Sequence, residues 1–143
     1  MKCTTVIDKS REEEVIIYVH EKNSLSSEIE ELVQGRSTEI FGYRDDEVIR
    51  LSASDVFCFV TEDSKVFAVL EKTRLRLKMR LYSLEEMLND DFVKINQSCI
   101  ANIGKIKRFD ASIGGALLVE FKNGYRDFVS RRQMKAVKER IGI

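Results

Sequence analysis

The run FVKINQSCIAN, Phe92–Asn102, sets the character of this chain, and the basic segment GKIKRF, residues 104–109, follows directly behind it. Apolar residues are interleaved there with amides, a hydroxyl group and cations, and no acidic residue falls between Asp91 and Asp110. Amide side chains can read base edges, and cations can neutralise phosphates. The stretch therefore suits an anionic, hydrogen-bonding partner, although a buried strand with solvated cations would show the same pattern.

Length and composition indicate one globular domain, or one domain with a small appendage, because the chain has 143 residues with 43% hydrophobic and 34% charged side chains. No apolar run approaches the roughly 18 residues that span a bilayer. The start MKCTTVIDKSREEE has no secretory apolar region, so we expect the protein in the cytoplasm.

The residues that usually carry chemistry are sparse. Cys3, Cys58 and Cys99 are odd in number and form no C-x-x-C motif, which favours reduced thiols over a zinc site or a disulfide framework. The single histidine, His20, lies in a strand-like run without a nucleophile beside it. Because the sequence also has no phosphate-cradling glycine loop and no metal-like carboxylate spacing, we expect no enzyme, metal or cofactor.

The charge is distributed unevenly along the chain. The net charge is zero, but residues 1–47 hold 6 Lys/Arg against 12 Asp/Glu, and residues 48–143 hold 18 Lys/Arg against 12 Asp/Glu. Such asymmetry indicates a basic working part joined to an acidic one. We therefore expect an acidic α/β extension at residues 1–46 and a basic domain at residues 47–143.

The extension is predicted as strand, helix, strand. Thr4–Ile7 and Glu14–His20 are rich in β-branched residues, and Thr38–Tyr43 is the third candidate strand. Between them, Ser27 and Glu30 have the spacing of a helix capping box. Dimerisation, effector sensing and structural support are all open as roles for this part.

From residue 47 onward the pattern is mostly β with short helices. The turn Glu62–Lys65 joins two apolar strands, and Asn123-Gly124 is a strong hairpin signal. Arg74–Leu81 alternates cations with apolar residues, which predicts a half-buried strand. We interpret its cationic face as solvated rather than as a contact surface for DNA.

Two helices are predicted from capping boxes, which are formed by Ser83 with Glu86 and by Ser130 with Gln133. Arg131 and Arg132 fall in the first turn of the second of these helices. Cations at that position oppose the helix dipole, which favours a role with an anionic partner over a role in helix stability.

The ordered motifs LYSLEEML, FVKINQSCIANIGKI, the Asn-Gly hairpin and VSRRQMKAVKERI resemble the LytTR DNA-binding domain of bacterial transcription regulators, over Glu47–Ile141. The resemblance implies an elongated, mostly β fold that reads successive major grooves of double-stranded DNA with loops, as a homodimer on promoter repeats. The short α/β extension is similar to that of stand-alone members. Those regulators are often encoded beside a small membrane protein, which implies a functional link of that kind.

The resemblance also implies which residues contact DNA. Base reading falls to a lysine at a hairpin turn, two amides and an arginine, which are Lys65, Asn96, Gln97 and Arg131. Phosphate contacts fall to Lys94 and Arg132, with Ser98 completing the loop signature. We add Lys107 as a further phosphate contact because of its cationic character. Asn102 matches an asparagine that we interpret as structural, its amide holding the turn backbone.

The alternative hypothesis is an effector-binding or protein-interaction module that docks an acidic partner through its basic β part. Salt-sensitive binding to a protein, without binding to DNA, would distinguish it.

Overall fold

The computed structural model of the protein describes residues 1–34, 39–112 and 114–143. Contacts between Cα atoms divide the chain into two compact units, residues 1–36 and 37–143. None of the described helices is long and apolar enough to cross a membrane.

The N-terminal unit holds one helix, α1, at Ser24–Gln34. The Asn23 Oδ1 accepts a hydrogen bond from the N–H of Ser26 at 2.8 Å, and the Ser26 Oγ accepts one from the N–H of Asn23 at 3.1 Å. These reciprocal bonds satisfy two backbone N–H groups at the helix start that have no partner within the helix. The predicted helix is confirmed, but its predicted capping box at Ser27 and Glu30 is wrong.

The two strands predicted before this helix are also wrong. Thr4–Ile7 and Glu14–His20 have neither strand nor helix structure, and Ile7 and Tyr18 are exposed. A β-prone run becomes a strand only where a neighbour supplies a ladder and a packing surface. The described residues of this unit contain no such neighbour, so propensity alone does not produce a strand.

The third predicted strand forms, but it belongs to the larger unit. It runs over Glu39–Arg44, since Thr38 lies outside the described residues, and it pairs along its whole length with Glu47–Ser52. The predicted boundary between residues 46 and 47 thus falls between two paired strands, and it stays a prediction.

The described part of the larger unit consists of ten strands and two α-helices, with two short 3-10 turns at Ala53–Asp55 and Ile103–Lys105. In chain order these are β1 Glu39–Arg44, β2 Glu47–Ser52, β3 Cys58–Glu62, β4 Lys65–Val69, β5 Arg74–Leu77, α2 Leu81–Met87, β6 Phe92–Asn96, β7 Cys99–Asn102, β8 Ile106–Asp110, β9 Leu117–Phe121, β10 Arg126–Val129 and α3 Arg131–Ile141. The strands form a seven-stranded sheet in the order β2-β1-β5-β4-β3-β7-β6 and a three-stranded sheet in the order β10-β9-β8. The described pairings are antiparallel, and the mostly β fold is as predicted.

The large sheet has an apolar core on each face. The first core contains Phe59 together with Leu84 of α2. The second core contains Cys58 and Val60 together with Val137 of α3 and the apolar side of β9. Successive residues of a strand point to opposite faces, so β3 supplies both cores and is buried from Cys58 to Val60. Complete burial of a side chain such as Phe59 contributes roughly 1.5–3 kcal/mol.

A local capping signal explains the start of α3 but not the start of α2. Ser130 Oγ accepts from the N–H of Gln133 at 3.3 Å, which confirms the predicted cap of α3. The predicted box at Ser83 and Glu86 is wrong, because α2 already begins at Leu81 with no side-chain cap.

Asn102 is a buried polar residue that fixes the chain after β7. Its Nδ2 donates to the carbonyl oxygen of Val56 at 2.8 Å, and its Oδ1 accepts from the N–H of Gly104 at 3.1 Å. The predicted structural role of Asn102 is therefore confirmed.

Gly42 marks a close approach of β1 to β5. A Cβ at this position would lie 2.7 Å from the Leu75 Cβ, which the backbone holds in place. We expect Gly42→Ala to lower the free energy of unfolding by about 1–3 kcal/mol, because the two strands would have to move apart. Urea unfolding checks this, with Gly104→Ala as the matched control, since a Cβ there would meet only the Asn102 Oδ1 at 3.6 Å. Equal stability of the two variants would contradict the packing argument.

The buried thiol of Cys99 and the half-buried phenol of Tyr125 make the fold sensitive to alkaline pH. The hydrogen bond with Cys58 and burial raise the pKa of the Cys99 thiol, and burial raises the pKa of Tyr125 to about 12. Both groups therefore stabilise the fold in their neutral forms, and this contribution is lost as the pH rises from about 9 to about 12. We expect the unfolding free energy to fall across that window, and less steeply in Tyr125→Phe. Identical slopes in the two proteins, measured by urea unfolding, would remove Tyr125 from this account.

Candidate nucleic-acid interface

The turn between β3 and β4 presents Lys65 at one end of the large sheet. Asp63 and Ser64 have positive φ angles of 51° and 61°, as a two-residue hairpin turn of the primed type requires. Lys65 is the first residue of β4, lies opposite Glu62 and is exposed. The turn chemistry therefore places a cation at the tip of the hairpin.

The turn between β6 and β7 lies at the same end and exposes Gln97 and Ser98. Asn96 closes this turn, because its Oδ1 accepts from the N–H of Ser98 at 2.8 Å and its Nδ2 donates to the carbonyl oxygen of Phe128 at 2.8 Å. The N–H of Thr61 donates to the carbonyl oxygen of Ser98 at 2.8 Å, which holds the two turns side by side.

The beginning of α3 joins these turns. The N–H of Ser130 donates to the carbonyl oxygen of Ile95 at 2.9 Å, so the first turn of α3 starts beside the end of β6. Arg131 and Arg132 are exposed there, and the first turn of the helix contains no acidic residue. Two exposed arginines thus begin a helix that starts beside the strand leading to Gln97.

The sheet end formed by these three segments has a mixed polar surface, which we call the loop end. Its exposed donors and acceptors are Lys65, Gln97, Ser98, Arg131 and Arg132. The carboxylates of Glu62 and Asp63 are also exposed at this end, and Glu62 forms an ion pair with Arg74. Cations suit phosphates and an amide suits a base edge, so the loop end can both position a duplex and read it.

Lys94 is close to the loop end but is directed elsewhere. Its Nζ lies 3.7 Å from a carboxylate oxygen of Glu85 on α2, and 29% of its side chain is exposed. It lines a cleft of about 270 Å³ between α2, β6 and α3, together with Gln133. The structure therefore pairs this predicted phosphate contact with an acid.

Lys107 does not lie at the loop end. It follows the first residue of β8, at the end that adjoins the β9–β10 turn. Asn123 in that turn donates to the carbonyl oxygen of Leu70 at 2.9 Å, and Leu70 follows β4 at the end remote from Lys65. A five-residue strand is about 17 Å long, so Lys107 is separated from the predicted contacts by roughly that distance.

The role of Asn96 is what the sequence reading missed. The sequence predicts that Asn96 reads a base with its amide. In the structure, both polar atoms of this side chain already form hydrogen bonds with the protein backbone. The spacing Asn-x-Ser is the signal that could have revealed this, since asparagine often accepts from the backbone N–H two residues ahead.

Residues 46–142 match the family described as the LytTr DNA-binding domain. The chain belongs to the LytTR family. Two uncharacterized HTH-type transcriptional regulators of Staphylococcus aureus, from strains NCTC 8325 and MRSA252, are each 32% identical over 108 residues, which cover 76% of this chain and 74% of theirs. A solved LytTr DNA-binding domain from Bacillus cereus matches with a TM-score of 0.69 at 24% identity, over 73% of this chain and 97% of that one.

The solved LytTr domain and this chain share the mostly β fold. In this chain, strands separate the described helices, so no two of them adjoin as the helices of a helix-turn-helix do. Within residues 1–34, 39–112 and 114–143, no group of three or more His, Cys, Asp or Glu is placed to hold a metal ion.

We expect Asn96→Ala to loosen the β6–β7 turn, because it removes both hydrogen bonds of the amide. The control is Asn96→Asp, which keeps the acceptor for the N–H of Ser98 and loses the donor to Phe128. Hydrogen exchange of the Ser98 amide should be faster in the alanine variant and close to wild type in the aspartate variant. Unchanged exchange in Asn96→Ala would show that the side chain does not close the turn.

Proposed function

We propose that this chain is a transcriptional regulator that binds double-stranded DNA sequence-specifically through its loop end. The observation that carries the proposal is the convergence of three separate chain segments on one exposed surface of cations and amides, in a member of the LytTR family. Because the convergent segments are two turns and a helix start, the protein reads a groove with turns and not with a helix laid along it.

We assign different roles to the exposed residues. Gln97 is the base reader, since an amide can bond to adenine in a bidentate manner and its side chain makes no hydrogen bond within the described residues. Arg131 and Lys65 flank it with donors for base edges or phosphates, and Arg132 binds phosphate. Asn96 is a positioning residue that holds the turn.

Specific binding to a promoter requires two subunits as well as the contacts of each subunit with DNA. We infer a homodimer on two repeated half-sites of a promoter, because one small loop end reads only a few base pairs. The work takes place on DNA in the cytoplasm, and the proposal assigns no catalytic step to the chain. A functional link to a neighbouring membrane protein stays a prediction.

Selection from a random duplex library tests the proposed function directly. The purified full chain should enrich a repeated motif and bind it roughly 10³-fold or more tightly than a scrambled duplex. Enrichment of no motif, with equal binding to all duplexes, would overturn sequence-specific recognition.

Gln97→Ala and Arg132→Ala should impair DNA binding in different ways, the first through base preference and the second through overall affinity. Loss of the Gln97 amide should relax preference at one base pair, at a cost of about 1–3 kcal/mol for the preferred base, while binding to scrambled DNA is unchanged. Loss of Arg132 should weaken all duplexes alike and reduce the slope of log affinity against log salt by about 0.9. Titration of both variants against single-substitution sites checks this. Full preference at every base pair in Gln97→Ala would remove this residue from base reading.

A further inference from the structure

A second cationic surface lies on the large sheet outside the loop end. It is the face of β1, β2, β4 and β5 on which cations alternate with aromatic rings, and we call it the cation–aromatic face. Its members are Phe41, Tyr43, Arg50, Phe67, Arg74, Arg76 and Lys78. The residues between them, such as Gly42, Leu75 and Leu77, point to the opposite face and are buried. The cations are exposed, as is 43% of Phe41.

The rings hold several of these cations in defined positions. The Nζ of Lys78 lies 4.5 Å from the centroid of the Tyr43 ring. The Cζ of Arg50 lies 5.8 Å from the centroid of the Phe41 ring. A cation over an aromatic face is attracted by the ring quadrupole, so these side chains are partly ordered before any partner arrives.

Two of the cations form no ion pair within the part of the chain that the structure describes. Arg50 pairs with Glu39 at 3.6 Å, and Arg74 pairs with Glu62. Arg76 and Lys78 form no ion pair with the described residues. Exposed ion pairs are worth only about 0–1 kcal/mol, so a polyanion could also recruit Arg50.

The strand register makes this face continuous with the loop end. Arg76 of β5 pairs with Phe67 of β4, and Phe67 lies on the same face of β4 as Lys65, two residues away. From β4 across β5 and β1 to β2 is three strand spacings, about 14 Å. A DNA strand rises about 3.4 Å per phosphate, so this width matches about four phosphates.

We propose that Arg76 and Lys78, with Arg50 at the far side, bind the sugar–phosphate backbone beside the bases that the loop end reads. The inference rests on the proposed function and extends the contact surface of the same duplex. It revises the sequence-based interpretation of Arg74–Leu81, in which Arg74 lies over the Phe67 ring and Lys78 over the Tyr43 ring. An acidic protein on this face is the competing occupant.

The test compares Arg76→Ala, Lys78→Ala and their double variant with Lys72→Ala. Lys72 is exposed and lies in the turn before β5, at the end remote from Lys65. The Lys72→Ala variant therefore loses the same charge from the other end of the same hairpin. Each protein is titrated with the selected duplex and with a scrambled duplex between about 50 and about 200 mM salt.

Each of the two variants should weaken both duplexes alike, by about eightfold at about 0.1 M salt, and should reduce the salt slope by about 0.9. Hydroxyl-radical footprinting with the double variant should lose protection over about four nucleotides at one flank, while the central protection remains. Lys72→Ala should match wild type. Arg76→Lys and Lys78→Arg should restore the slope, and thermal melting should show that all variants are folded.

Wild-type slopes and footprints in the double variant would overturn the inference and leave an acidic protein as the occupant of this face. Failure of the proposed function gives a different result, namely equal binding of wild type to selected and scrambled duplexes. The salt slope on the scrambled duplex still tests Arg76 and Lys78 in that case. Absence of any DNA binding by wild type would overturn both.

Discussion

The pairing of β3 with β7 is the constraint on which the interface depends. These strands are neighbours in the middle of the seven-stranded sheet, with Val60 opposite Cys99, and they are buried on both faces. The ladder continues past the strand ends through the hydrogen bond from Thr61 to the carbonyl oxygen of Ser98. The turn at Lys65 follows β3 and the turn at Gln97 precedes β7. Because these two strands are paired, the two turns lie side by side at the same end of the sheet.

The third segment depends on a second set of contacts. Ser130 and Phe128 bond to Ile95 and Asn96, which fastens the beginning of α3 to the last residues of β6. Val137 packs in the core beneath it, so the helix is held at its start and along its buried side. A rigid scaffold of this kind leaves only exposed side chains to adapt to a partner, which favours precise recognition over strong but unspecific attraction.

Much of this arrangement could be predicted from the sequence, because it is encoded locally. Positive φ angles at Asp63 and Ser64, and the cap formed by Ser130, follow from short-range chemistry. The roles of Asn96 and Lys94 could not be predicted from charge or polarity. Asn96 bonds to Phe128, which is 32 residues away in the sequence, and Lys94 pairs with Glu85, which it meets only in the folded chain. The strand expected at Glu14–His20 shows the same limit, because propensity does not supply a partner strand.

The central claim is that three segments form one DNA-binding surface, and an NMR titration of the full chain with the selected duplex tests it most directly. The account predicts that amide shifts of residues 61–65, 96–99 and 130–133 change together and saturate with one dissociation constant. Shift changes confined to β8 and β9, or to α2, would contradict it, because the loop end would then not be the surface that meets DNA.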